Sequence, residues 1–259
     1  MNGLKPQPFD KMVLIIKMMK ATVQLSILLF LTLTCSMTVI AQKKDSVQLV
    51  PEGYRKAWNE TLIYGDVFKR EHSISLAKAI QDIPPGKALD VAMGEGRNTL
   101  FLARHGWETT GFDIADVALD SVRSRAAREN LDVEIITASR ETFDFGIEKW
   151  DLIAVLYADA ICGRCCADDD ELISTIKNAL KPGGRVVYEG PTRQGLIDME
   201  PEAANTPYGC KNNAIKDAFL KTGKFEIIHY SEEIGIADWD PSGRFEPAEM
   251  IYMIAEKVK

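Results

Sequence analysis

The stretch Lys87 to Ala118, KALDVAMGEGRNTLFLARHGWETTGFDIADVA, constrains this chain more than any other. Its first six residues are a short apolar run, the pattern of a strand buried on both faces. Met93 to Asn98 then turns the chain, and Gly94 and Gly96 permit positive φ and close approach of a ligand to bare backbone. Asn98 to His105 has helical spacing, with Leu100, Phe101, Leu102 and Ala103 on the packing side and Gly106 where a helix would end. Trp107 to Phe112 predicts a second strand that delivers Asp113 to its C-terminal tip. Strand, glycine turn, helix and strand form a parallel βαβ unit, which commits the chain to an α/β sheet. A carboxylate at that tip can accept from both hydroxyls of a ribose, while the free N–H groups of the helix start favour an anionic group. The pattern predicts a nucleoside-cofactor site.

A dinucleotide fingerprint requires G-x-G-x-x-G/A, but Thr99 holds the third position and Glu95 inside the turn is a poor neighbour for a pyrophosphate. The stretch instead resembles motif I of the class I S-adenosylmethionine-dependent methyltransferases, acid-x-G-x-G-x-G, with Asp90, Gly94 and Gly96 in register and Ala92 at the first glycine position. Asp113 in GFDIA matches that family's ribose-binding acid. WDLIAVLYADA (Trp150 to Ala160) resembles its fourth strand, and LKPGGRVVYEG (Leu180 to Gly190) its helix-turn-fifth strand. Ordered motifs thus cover residues 52–190, and the compact motif I is most similar to the tellurite-resistance-like and thiol methyltransferases.

The resemblance implies a doubly wound, Rossmann-like seven-stranded sheet, mostly parallel with an antiparallel C-terminal hairpin strand. It implies S-adenosyl-L-methionine as cofactor, held by Asp90, Gly94, Gly96 and Asp113 with Glu95 and Asn98 as polar neighbours. Ile114, Ser139 and Leu156 complete the expected cofactor-binding set, with Ser139 standing where the family pattern has an acid that touches the adenine amine. It also implies a small-molecule methyl acceptor, with a thiol, chalcogen or similar soft nucleophile favoured.

The first 41 residues have a different character. Lys11, Lys17 and Lys20 precede an uncharged run from Ala21 to Ala41, and Val39-Ile40-Ala41 offers a cleavage site before Gln42. That layout reads as a secretory signal, and the run is also long enough to anchor the chain in a bilayer if it is not cut. Residues 1–41 are therefore read as leader or anchor, which predicts an exported (periplasmic) or membrane-anchored protein. A misassigned start upstream of a cytoplasmic enzyme is the alternative. Residues 42–85 read as an N-terminal helical cap, with Trp58, Leu62, Ile74, Ala77 and Ile80 at helical spacing and Ile83-Pro84-Pro85-Gly86 as the break. In methyltransferases that this chain resembles, such a segment closes over the cofactor. Tyr64 and His72 are its candidate functional residues, although packing or a solvated surface is the preferred reading of each. Residues 86–259 are the cofactor-binding domain.

Further along, Asp116 to Glu129 predicts a helix and Val133 to Thr137 a third strand. The fourth strand, Asp151 to Leu156, ends in Tyr157-Ala158-Asp159, and ligands of open α/β sheets lie outside strand C-termini. Tyr157 and Asp159 are therefore the candidate catalytic residues, placed to face the methyl acceptor. Glu171 to Leu180 reads as a helix that stops at Lys181-Pro182-Gly183-Gly184, followed by a strand over Arg185 to Glu189. Gly190 to Pro207 reads as a loop, Asn212 to Thr222 as a helix, and Phe225 to Ser231 and Met250 to Glu256 as the two final strands.

Cys162, Cys165, Cys166 and Cys210 leave three readings open: a zinc site, disulfides in an exported domain, or a thiolate cluster for a soft substrate. His72, His105 and His229 lie far apart, and no acid or His cluster has metal-ligand spacing, so no catalytic metal is expected to activate a catechol-type hydroxyl. Residues 1–41 carry four of the 31 basic and one of the 38 acidic residues, which leaves the remainder acidic by ten. Nucleic acid is not expected as a partner, given that balance and the lack of a basic stripe in the sequence. Two other classes are weighed against the enzyme. A non-catalytic nucleoside-binding or scaffold module would fit the substitutions at Ala92 and Ser139, whereas an NAD-dependent oxidoreductase is opposed by Thr99 and the terminal hairpin.

Overall fold

The computed structural model describes residues 52–64, 71–158, 170–205, 209–238 and 245–258. All belong to the unit Val47–Lys259, and the leader segment lies outside the described residues. The described elements in chain order are α1 (Glu52–Tyr64), α2 (Ile74–Ala79), β1 (Lys87–Val91), α3 (Arg97–Arg104), β2 (Glu108–Asp113), α4 (Asp116–Glu129), β3 (Val133–Thr137) and β4 (Trp150–Leu156). They continue with α5 (Asp170–Ala179), β5 (Leu180–Pro191), α6 (Arg193–Met199), a 3-10 turn (Pro201–Asn205), α7 (Ala214–Lys221), β6 (Phe225–Ile236) and β7 (Pro247–Lys257).

One seven-stranded sheet runs in the order β3-β2-β1-β4-β5-β7-β6. β1 pairs in parallel with β2 on one side (Leu89 opposite Thr110) and with β4 on the other (Leu89 opposite Ile153). β7 lies antiparallel between β5 and β6. This is the expected fold.

The central strands are apolar because helices cover both faces, and the period of two decides which residue meets which helix. Leu89, Ile153, Val155 and Tyr188 point toward Ile173 and Ile176 of α5 and Ile215 and Phe219 of α7. Ala88, Leu152, Ala154 and Val187 point the other way, toward Leu76 of α2, Phe101 and Leu102 of α3 and Leu196 of α6. Helix α3 ends as its glycine predicts: Gly106 adopts φ 83°, and the Trp107 N–H reaches back to the Leu102 carbonyl.

The structure departs from the sequence pattern in three places. Lys181 to Gly184 does not precede β5 but forms a bulge within it, since Trp150 pairs with Leu180 and Leu152 with Arg185. Lys181 uses the bulge to reach the Asp151 carboxylate at 2.7 Å. The expected loop at Gly190 to Pro207 contains α6, whose first turn is capped by the Thr192 hydroxyl accepting from the Gly195 N–H at 3.0 Å. With seven residues, α6 is too short for its spacing to stand out in sequence. Finally, β6 and β7 each run several residues beyond the expected strands, because their pairing continues to Ile236 opposite Pro247.

Candidate functional site

In the order β2-β1-β4, the chain leaves β1 toward one side of the sheet and later returns to the other, so a crevice opens where the two directions part. A cavity of ≈ 390 Å³ occupies that crevice, a size suited to a small ligand. The tip of β1 and the following turn supply Asp90, Ala92, Met93, Gly94 and Glu95, and α3 supplies Asn98. The tip of β2 supplies Asp113 and Ile114, Ser139 follows β3, and Leu156 and Tyr157 end β4.

Three charged or strained features organise the glycine turn. Asp113 accepts the Gly94 N–H on Oδ2 and the Ala115 N–H on Oδ1, both at 2.9 Å. Burial raises its pKa, and the N–H groups of Ala115, Gly94 and Ile114 oppose that rise. Each oxygen keeps a lone pair for a further donor. Gly94 itself has φ 52°, and a Cβ built on it would meet only open space, so bare backbone faces the cavity. Asp90 lies beneath this turn, 2 % exposed, with the Thr99 hydroxyl donating to Oδ2 at 2.6 Å. Burial pushes Asp90 up to about 6.

Gly96 has another task. A Cβ there would stand 2.7 Å from both methyl groups of Val122, so this glycine admits α4 against the start of α3 and does not line the cavity. Ala92 adopts φ 56°, a left-handed conformation that explains why the family pattern prefers glycine at this position. Ser139 is buried and its N–H donates to the Thr142 hydroxyl at 2.9 Å, which fixes the turn that brings it to the cavity.

Tyr157 lines the cavity at φ 58°, and its hydroxyl is committed: it donates to Glu189 Oε1 at 2.9 Å and accepts from the Asp238 N–H at 2.7 Å. Burial, then the charges of Glu189 and Asp238, hold the phenol well above its ordinary pKa. It is therefore a neutral side chain with a fixed hydroxyl and is not poised as a base. Asp159, Cys162, Cys165 and Cys166 lie outside the described residues, as does the side chain of Tyr64. His72 is not at the cavity but stacks on Phe101, with ring centroids 3.8 Å apart.

Several lining residues carry no sequence signal that marks them as functional. Trp58 and Leu62 of α1 reach the cavity, although their spacing is equally that of a packing face. α1 is docked by Arg55 on Asp116 at 3.2 Å and by Asn59 accepting the Val117 N–H. Arg125 of α4 lines the cavity and donates to the Glu95 carbonyl at 2.9 Å, bracing the glycine turn. Among the described residues no group of three or more His, Cys, Asp and Glu could hold a metal ion. Cys210 is fully buried and disulfide-bonded, to a cysteine outside the described residues.

Residues 88–184, which contain all of these strand tips except Glu189, match the family model described as "Methyltransferase domain". The chain is 29% identical over 227 residues to the probable S-adenosyl-L-methionine-dependent methyltransferase TehB of Haemophilus influenzae, a match covering 87% of this chain and 70% of that one. Over residues 88–184 the chain carries a methyltransferase domain of the class I, S-adenosylmethionine-dependent kind. Another relative is Hemagglutinin 1 of Eikenella corrodens, 25% identical over 210 residues. That match covers 74% of this chain but 63% of the relative, so it spans less than two thirds of the relative's length. The N-methyltransferase NodS of Bradyrhizobium japonicum, solved with S-adenosyl-l-homocysteine, shares the fold with TM-score 0.59 at 13% identity, covering 79% of this chain and 98% of NodS. The cofactor of a class I methyltransferase is S-adenosylmethionine. The part-buried carboxylate of Asp113, the open face of Gly94 and the cavity that both line suit its nucleoside part.

Proposed function

We propose that this protein transfers the methyl group of S-adenosylmethionine to a small-molecule acceptor, with a soft nucleophile such as a thiol or chalcogenide favoured. The observation that carries the reading is Asp113 at the β2 tip, anchored by two backbone N–H groups beside the open backbone of Gly94. Asp113 accepts the ribose hydroxyls, and Gly94 lets the ligand approach the turn. Ile114 and Ser139 flank the base, while Asn98, Leu156 and Tyr157 bound the rest of the cavity. The cofactor supplies an activated methyl group with a neutral leaving group, so the protein's main contribution is alignment and exclusion of water.

A soft acceptor is supported by the character of the lining. Among the described residues at the cavity, Asp90 is held by Thr99, Asp113 by backbone N–H groups, and the Tyr157 phenol by Glu189 and Asp238. Glu95 is exposed. None of these is arranged as a base for a protonated alcohol, whereas a thiolate or chalcogenide is already ionised and needs no base.

The reading extends to location: an exported domain, carried out by or anchored through residues 1–41. Its support is the disulfide at Cys210, since such bonds persist in oxidising compartments. The deciding experiment is calorimetric titration of the full chain with S-adenosylmethionine and S-adenosylhomocysteine, then methyl transfer to dithiothreitol, selenide and a catechol. Binding with transfer to the thiol or selenide is expected. Binding with transfer to the catechol alone would overturn the soft-acceptor reading, and no binding would overturn the enzyme.

A further inference from the structure

Behind Tyr157 lies a buried polar cluster that the cofactor contacts leave unexplained. Glu189, near the end of β5, is 3 % exposed and follows the apolar run Val186-Val187-Tyr188. Its Oε1 accepts from the Tyr157 hydroxyl at 2.9 Å and its Oε2 from the Ser73 hydroxyl at 2.6 Å. Burial and the nearby Asp238 charge raise its pKa, while the hydroxyls of Ser73, Tyr157 and Ser75 stabilise its anion. A carboxylate is costly at such depth, and a packing role would be met more cheaply by an apolar residue.

The cluster joins three walls of the site. Ser73 caps α2 through the Leu76 N–H, and its own N–H donates to Asn98 Oδ1 at 2.9 Å. Asn98 lines the cavity from α3. Arg97, the preceding residue, donates both to the Glu71 carbonyl and to Asp238 Oδ2, each at 2.7 Å. Asp238 closes the circuit by donating its N–H to the Tyr157 hydroxyl. The root of the N-terminal cap, the start of α3, the β4 tip and the turn after β6 therefore meet around one carboxylate.

The two attachments of the cap differ in kind. At α1 the Arg55–Asp116 ion pair has side chains 39% and 47% exposed, where such pairs contribute little. At the root, Ser73 and Glu189 are buried, and the Arg97–Asp238 pair is 9% and 13% exposed. The root is the fixed end, and Glu189 is the group shared between it and the cavity wall.

We propose that Glu189 is a positioning residue of the transferase site, setting the Tyr157 wall and the Ser73 segment in the arrangement that binds the cofactor. The inference rests on the proposed cofactor site. It assigns Glu189 no contact with ligand: it acts through Tyr157 and, by way of Ser73, through Asn98. Substitution should therefore weaken binding while the Asp113 turn stays intact.

The test uses the full chain and S-adenosylhomocysteine as the probe, reading affinity by calorimetry and closure by amide hydrogen exchange. In the wild type the probe should slow exchange both in the glycine turn and in residues 71–79. In Glu189→Gln, the affinity should fall about tenfold, the loss of one or two charge-assisted hydrogen bonds. Protection of 71–79 should be lost while protection of the glycine turn is retained. Ser73→Ala removes one spoke without touching the carboxylate and should reproduce the loss at 71–79, which keeps the test decisive if Glu189→Gln does not fold. Wild-type affinity and unchanged 71–79 protection in either folded variant would overturn the inference, as would a uniform loss of protection throughout the domain. A wild type that does not bind the probe would instead overturn the proposed function, and this inference with it.

Discussion

The Gly94 N–H donates to Asp113 Oδ2 at 2.9 Å, which locks the turn after β1 to the tip of β2 before any ligand arrives. The carboxylate that would receive a ribose is thereby pre-oriented by the same turn that admits the ligand.

Replacing Asp113 removes that receiver. Asp113→Ala should weaken S-adenosylhomocysteine binding by about 2 to 4 kcal/mol, roughly 30- to 1,000-fold in Kd. Asp113→Asn, which keeps the shape but not the charge, should lie between. Burial raises the Asp113 pKa, and the anion is the form that accepts both hydroxyls. Affinity should therefore decline on acidification at a higher pH than an ordinary aspartate would produce, a dependence lost in Asp113→Asn. Calorimetry across a pH series from neutral into the acid range measures both effects.

Asp90 should set part of the stability profile. Its pKa rises from 3.8 to about 6 in the fold, so the folded state binds the proton more tightly than the unfolded chain. The associated stability is fully present below about pH 4 and is lost as pH rises to about 6, above which the buried charge costs about 3 kcal/mol. Asp90→Asn can still accept from Thr99 and should be more stable than wild type by about 1 to 3 kcal/mol at pH 8, with the difference shrinking toward pH 4. Urea unfolding across that range gives the answer, and parallel pH profiles for the two proteins would contradict the assignment.

Two of the positive-φ residues around the turn, Ala92 and Gly96, predict opposite outcomes. Ala92 pays a left-handed strain at φ 56°, so Ala92→Gly should raise stability by about 0.5 to 1 kcal/mol. Gly96→Ala should destabilise by about 2 to 4 kcal/mol, since its Cβ would collide with Val122 at 2.7 Å and φ is 68°. Trimming the obstacle in Gly96→Ala/Val122→Ala should relieve the collision but not the strain. Thermal unfolding of the three variants separates the two causes.

Cys210 packs against the Tyr188 hydroxyl, 3.4 Å from its sulfur, at a site with no solvent exposure. Breaking its disulfide should lower stability by about 2 to 4 kcal/mol. Melting with and without a phosphine reductant measures that loss. Peptide mapping under non-reducing conditions should find Cys210 linked to Cys35, Cys162, Cys165 or Cys166, and a free Cys210 thiol in freshly isolated protein would count against an oxidising location.

The βαβ unit was legible in sequence because its signals are local. An apolar run, a glycine turn and an acid at the next strand's tip occupy a few dozen consecutive residues, and backbone geometry alone places Asp113 beside Gly94. Tyr157 was legible for a related reason: strand ends face the crevice in any open α/β sheet. Gly96 shows where such reasoning stops. Its motif position suggests a ligand, but the neighbour that requires glycine is Val122, a helix away. Trp58 and Leu62 were hidden because an amphipathic spacing looks the same whether the apolar face meets a core or a cavity.

The sequence by itself determined the βαβ start of the sheet, since periodicity and turn chemistry act over short distances, and its ordered motifs carried the resemblance that implied a seven-stranded sheet and the cofactor class. Only the tertiary structure decided what surrounds the far end of the cavity. Glu189 is joined to Ser73 across 116 residues and to Tyr157 across 32, and Arg97 to Asp238 across 141. No local pattern encodes these partnerships. They exist because a buried charge must find its hydrogen bonds wherever the fold brings them.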